Sequence, residues 1–227
     1  MFRLKCRGVV CRSLLILGLC ALALVVLGGS VAVAGPAIDF TSPGTLGNNY
    51  HPALGGYSMG WEFNLTKAMT ITDLGYFNWG RGGNGIGESH SVGIFDSVGN
   101  LLVSTTVNPG DPTSGLWVWK SLSTPFVLAP GSGYRIAGTT GQFDRYTWSV
   151  NPVMIDPNVQ YVQNRYIRSN TLVNPLYTFA TLPPYSYFGP NFRGEVMPDV
   201  VPEPALLQLP FLLGMGGFAY WRRRKTA

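Results

Sequence analysis

Trp61, Phe63 and Leu65 alternate with Glu62, Asn64 and Thr66. A period of two places one set on a buried face and the other toward solvent, the mark of a half-buried strand. Further candidate strands are Met69 to Asn78, Ser91 to Asp96, Leu101 to Val107, Leu116 to Leu122, Tyr134 to Thr139 and Phe188 to Val196. Gly, Pro, Asn and Asp separate them, and Ser97-Val98-Gly99-Asn100 between two apolar runs is a hairpin turn signal. No run of ten or more residues in this region has helical spacing.

Seven or so strands at intervals of about 10 to 20 residues, without alternating helices, predict an all-β fold. The expected form is an antiparallel β-sandwich of the jelly-roll or immunoglobulin-like kind. A body of about 170 residues can bury roughly 70 per cent of the surface its unfolded chain exposes, so it needs no disulfide staple. Gln142 to Pro184, with five prolines among Asn and Tyr, reads as long loops with one or two strands around Tyr161 to Ile167.

The ends differ from this body. Arg3, Lys5, Arg7 and Arg12 precede an apolar block from Leu14 to Leu27, and Ala32-Val33-Ala34 follows. Basic, apolar and A-x-A segments in that order form a secretory signal peptide over residues 1–34, cleaved after Ala34 with Ala32 and Ala34 as the small positions. The expected export partners are the Sec machinery and signal peptidase. An apolar block of about 14 residues is shorter than the roughly 20 of a stable spanning helix. Cys6, Cys11 and Cys20 all lie in this segment, so the expected mature chain has no disulfide, thiolate metal site or cysteine nucleophile. Leu19 before Cys20 does not supply the small residue that a lipoprotein signal has there.

The net charge of +5 also belongs to the ends. Gly35 to Pro204 holds eight Lys and Arg against eleven Asp and Glu, or −3, while each end carries four cations. A body without a basic stripe cannot neutralise a run of phosphates, which excludes nucleic acid as a partner.

Near the C-terminus, Ala205 to Trp221 gives 17 mostly apolar, uncharged residues, about 25 Å as a helix. That is slightly short of a hydrocarbon core of roughly 30 Å, and Gln208 and Pro210 interrupt it. Tyr220 and Trp221 suit the interface, and Arg222, Arg223, Arg224 and Lys225 are expected to stay cytoplasmic by the positive-inside rule. The alternative is a buried terminal helix with a solvated basic end, but the segment lacks an amphipathic stripe.

Val201-Pro202-Glu203-Pro204, one short apolar helix and an arginine-rich terminus together resemble the PEP-CTERM sorting signal of Gram-negative bacteria. The resemblance covers residues 200–227. It implies processing by exosortase, a membrane-embedded transpeptidase-like enzyme, through an inner-membrane intermediate to the cell surface or the extracellular polysaccharide matrix. Pro202 and Pro204 hold an extended strip that cannot join a helix ladder, in keeping with Pro202, Glu203 and Pro204 as the recognition motif. Family members usually have Leu and Gly where this chain has Gln208 and Pro210. Within the expected domain of residues 35–199, GWEFNL, DLGYFN, ESHSVGIFDSVGNLL and FGPNF resemble, over about residues 55–195, an uncharacterised β-sandwich domain often found ahead of such tails, which has no established catalytic residues.

Several patterns bear on chemistry. Gly56-Tyr57-Ser58-Met59-Gly60 fits the G-x-S-x-G nucleophile elbow, but that motif requires a strand-to-helix turn and WEFNLT promises a strand. His51 and His90 are the chain's histidines, and neither is placed late in the chain after an acid as a triad of that kind requires. Gly80-Arg81-Gly82-Gly83-Asn84-Gly85 matches G-x-G-x-x-G without the following helix that pyrophosphate binding needs. Glu88 and His90, two apart, can form half of a calcium or transition-metal site, or a hydrogen-bonded pair fixing the loop. Trp79 beside the Gly-rich loop can stack on a sugar, whereas Trp117 and Trp119 share a strand face that is either core or sugar-facing. The eleven carboxylates have no spacing that argues for a glycosidase pair. The expectation is a non-enzymatic exported protein without a cofactor, with a matrix carbohydrate-binding module as the alternative and a Ser58 hydrolase behind it.

Overall fold

The computed structural model describes residues 34–79, 85–150, 153–179 and 186–198. Among these the chain is all-β and has no helix. The strands begin with three short pieces, β1 (Gly35–Pro36), β2 (Ile38–Asp39) and β3 (Thr45–Gly47). Then come β4 (Tyr57–Leu65), β5 (Met69–Phe77), β6 (His90–Phe95), β7 (Leu101–Val107), β8 (Thr113–Ser114), β9 (Trp117–Leu128) and β10 (Gly131–Thr139). The last four are β11 (Tyr146–Trp148), β12 (Met154–Ile155), β13 (Val159–Arg168) and β14 (Pro190–Val196).

One five-stranded sheet runs β1-β14-β5-β9-β8 and the other β13-β4-β10-β6-β7, with every neighbouring pair antiparallel. The pairs β11-β3 and β12-β2 complete the arrangement. Fully buried Trp61 and Phe63 of β4 meet Phe192 of β14 in the opposite sheet, at ring separations of 5.9 and 5.1 Å. The two sheets therefore share an aromatic core, consistent with a β-sandwich. Each buried aromatic side chain contributes about 1.5–3 kcal/mol of hydrophobic stabilisation. Trp61 also satisfies its indole N–H on the Pro190 carbonyl at 3.1 Å.

Each expected strand is present, and the alternation in Trp61, Phe63 and Leu65 does select the core face. The hairpin is present too: Asp96 Oδ1 accepts the N–H groups of Val98, Gly99 and Asn100, and Gly99 takes φ 100°. Two details differ from expectation. β9 continues to Leu128, past Pro125 and a register shift opposite β5. Glu62 lies on the polar side of β4 yet is 9% exposed, because Arg165 Nε and Gln163 Nε2 both donate to its Oε2.

Much of that outer face is covered by residues 169–179, which the sequence reads only as loop. Ser58 Oγ donates to the Val173 carbonyl at 2.7 Å, Arg135 donates to Asn174 Oδ1, and Arg165 donates to the Leu176 carbonyl. Tyr166 and Tyr177 exchange two backbone hydrogen bonds. Ser58, Glu62, Arg165 and the terminal guanidinium nitrogen of Arg135 thus find protein partners instead of water.

Candidate functional site

A polar cluster forms where β5 ends, β6 begins and the loop after β10 returns. His90 opens β6 and is fully buried. Its ring lies flat against Tyr76 of β5, with centroids 3.7 Å apart and planes 2° from parallel. Nδ1 contacts the Thr139 carbonyl at 2.7 Å and Nε2 contacts Asp144 Oδ2 at 3.0 Å. A carbonyl can only accept, so Nδ1 carries a proton. The Nε2 contact to an ionised Asp144 is complete only when that nitrogen carries one as well.

Asp144 and Glu88 exchange backbone bonds between their two segments. Asp144 accepts the N–H of Gly87 on both oxygens, at 2.9 and 2.8 Å, and that of Glu88 at 2.9 Å. In return Glu88 Oε1 accepts the N–H of Phe143 at 2.6 Å and of Asp144 at 3.1 Å. Gly141 makes room, since a Cβ there would lie 2.1 Å from the Glu88 carboxyl carbon. Burial pushes the Asp144 carboxyl upward, but the bonds from His90, Gly87 and Glu88 outweigh it and hold the group below the ordinary carboxylate range. Burial, reinforced by the charges of Asp144 and Glu88, pushes the Tyr76 hydroxyl far up, so it stays a neutral phenol.

Glu88, His90 and Asp144 can each offer one ligand atom, all within 4.8 Å of one another. The Nδ1–H bond to a carbonyl is the outer contact that a metal-bound histidine makes. A cation would nevertheless have to displace the Nε2 contact to Asp144 and draw on carboxylates already engaged by backbone N–H groups. The loop-fixing reading of Glu88 and His90 therefore fits the geometry better, with Asp144 as the joining partner. Both ring nitrogens of His90 are engaged by protein groups and its ring is fully buried.

Ser58 stands inside β4, fully buried, with its hydroxyl bonded to Val173. The strand-to-helix elbow is not formed there. His51 Nδ1 accepts from Ala53 N–H, and His90 is engaged as above, so neither histidine is bonded to Ser58. Gly60 of the same motif has a packing role: a Cβ would lie 2.2 Å from the Ile136 carbonyl oxygen and 2.7 Å from Pro190. Trp117 and Trp119, 1% and 3% exposed, are core residues. Trp79 is 39% exposed just beyond β5 and keeps the accessibility a sugar contact requires.

Residues 80–84 of the Gly-rich motif lie outside the described residues. So do Ala32, Pro202, Glu203, Pro204, Arg222, Arg223, Arg224 and Lys225, together with the expected signal and transmembrane helices. Among the described residues no helix is long and apolar enough to cross a membrane.

Sequence reading found Glu88 and His90 but not Tyr76 or Asp144. Tyr76 looked like any core aromatic of β5. Asp144 carried no clear signal, since it sits beside Arg145 in a turn and nothing local tied it to a histidine 54 residues away. Comparison with family models, curated proteins and solved structures finds no match.

Proposed function

We propose that the chain is a non-enzymatic exported protein, carried across the membrane by residues 1–34 and sorted by residues 200–227 to the cell surface or extracellular matrix. In this reading Pro202, Glu203 and Pro204 present the recognition strip to exosortase. The apolar helix and Arg222 to Lys225 hold the intermediate in the inner membrane of a Gram-negative bacterium. The sandwich is the cargo, and its strand order suggests a jelly roll with β13 and β8 added at the edges.

The observation that supports the reading is that the described strands span Gly35 to Val196, between the two segments. β1 begins at Gly35, directly after the expected cleavage point, and β14 ends at Val196, just before the sorting segment. These strands are antiparallel neighbours, with Gly35 opposite Gly194, so both ends of the body emerge together at one end of the sheet. Every described strand pairs with another strand within residues 35–196. The buried position of Ser58 favours this reading over the hydrolase.

Deletion of residues 202–225 tests it by cell fractionation. The truncated protein should be released or misrouted while the full chain reaches the surface. An unchanged distribution would defeat the sorting proposal.

A further inference from the structure

Beyond the cluster around His90, the described residues form an open cleft of about 200 Å³ lined by Asn49, Tyr146, Trp148, Phe179 and Tyr187. Its floor comes from β11, where Tyr146 and Trp148 stand two apart and share a face. Thr147 between them points the other way, fully buried, with its Oγ accepting the Gly44 N–H. Tyr187 is set edge-on to Tyr146, with centroids 5.4 Å apart at 86°, and edge-on to Tyr166 behind it at 5.8 Å. Asn49 sits in a turn held by Asn48, which donates to the Gln142 carbonyl and accepts the Tyr50 N–H. At the rim Phe179 is 76% exposed, although its backbone N–H is fixed on Asn164 Oδ1 at 2.7 Å.

The lining is aromatic and amide in character and has no charged side chain. Burial pushes the Tyr187 hydroxyl up to about 12, with neighbouring tyrosines adding to the effect, so the wall remains neutral. Arg168 is engaged elsewhere, donating to the Tyr57 hydroxyl at 3.0 Å and lying over that ring. A cleft without a cation or a carboxylate has nothing to balance an ionic ligand. Flat aromatic faces beside an amide and phenol oxygens instead complement a ring with one C–H face and a rim of hydroxyls. The volume is below the roughly 300–1,000 Å³ of clefts that hold drug-sized ligands, which limits the occupant to about one ring.

We propose that this cleft binds a neutral pyranose unit of a glycan, with Trp148 and Phe179 packing on the sugar face and Asn49 bonding its hydroxyls. The site differs from the Trp79 position suggested by the sequence. It also stands apart from the sorting reading, since the cleft belongs to the sandwich and its test leaves the tail untouched.

The test uses the full chain in a detergent without a sugar headgroup. Neutral tetrasaccharides of glucose, mannose and galactose are presented by saturation-transfer NMR, with a uronic acid tetrasaccharide and a proline-rich peptide as rival ligands. At least one neutral sugar should bind, with Kd on the order of millimolar for a one-ring site. Phe179→Ala, at an exposed position that folding does not depend on, and Trp148→Ala should each weaken it about tenfold. Asn49→Ala should weaken it several-fold. The proposal is overturned by silence from every neutral sugar, by binding of only the peptide or the uronate, or by binding that is lost with Trp79→Ala but survives Phe179→Ala and Trp148→Ala.

Discussion

The imidazole of His90 and the phenol of Tyr76 stack face to face across the two sheets, 3.7 Å apart and 2° from parallel. This contact brings the charged end of the cluster against the core. His90 touches Tyr76 with its ring face, the Thr139 carbonyl with Nδ1 and Asp144 with Nε2, so one side chain links both sheets to the loop that follows β10.

Replacement of His90 by Ala should therefore be among the costliest single changes in the body. It opens a cavity under Tyr76 and leaves the Asp144 carboxylate buried without its partner, a loss of about 3–5 kcal/mol. Urea denaturation of wild type and His90→Ala measures it. A cost below about 1 kcal/mol would mean that the cluster is dispensable.

Asp144 sets an acid limb. Its folded-state carboxyl lies below the ordinary value of about 3.9, so its contribution is complete above that pH and is lost as pH falls through the lower folded value. Asp144→Asn should accordingly be less stable than wild type at neutral pH, with the gap closing in strong acid. Urea midpoints from about pH 7 down to about pH 2 report it, and a gap that stayed constant would contradict the assignment.

The same cluster makes a statement about metals. Its carboxylates and ring nitrogens are already engaged by protein groups, so excess Ca²⁺ or Zn²⁺ should leave the melting temperature unchanged and give no binding heat. A clear upward shift that Glu88→Gln abolishes would assign a metal site to Glu88, His90 and Asp144 instead.

Gly60 should tolerate no side chain. The Cβ of Gly60→Ala would press on the Ile136 carbonyl and on Pro190 of the facing sheet, a strain of about 1–3 kcal/mol. Thermal unfolding of Gly60→Ala should show a melting point several degrees lower. An unchanged melting point would show that the sheets can separate locally at no cost.

The strands of the body were legible because period-2 alternation is a local property, written in residues that are chain neighbours. β4 shows it in Trp61, Phe63 and Leu65, the other long strands are apolar or β-branched runs between turn residues, and the Asp96 turn is encoded within five residues. The short strands β1, β2, β3, β8, β11 and β12 were not legible, since two or three residues are too few to show a period and they exist only by pairing. The same limit hid the strap over β4, because residues 169–179 have no apolar alternation and gain their place from bonds to Ser58, Arg135 and Arg165.

Alternation and turn chemistry by themselves determined that this body is all-β and antiparallel. The tertiary structure alone decided that Ser58 is covered, that Gly60 is a packing glycine and that Asp144 completes the pair begun by Glu88 and His90. It also decided that Asn49, Tyr146, Trp148, Phe179 and Tyr187 share one cleft. The physical reason is sequence separation: strand propensity acts between adjacent residues, whereas a site is assembled by sheet packing from side chains up to 138 positions apart, Asn49 to Tyr187.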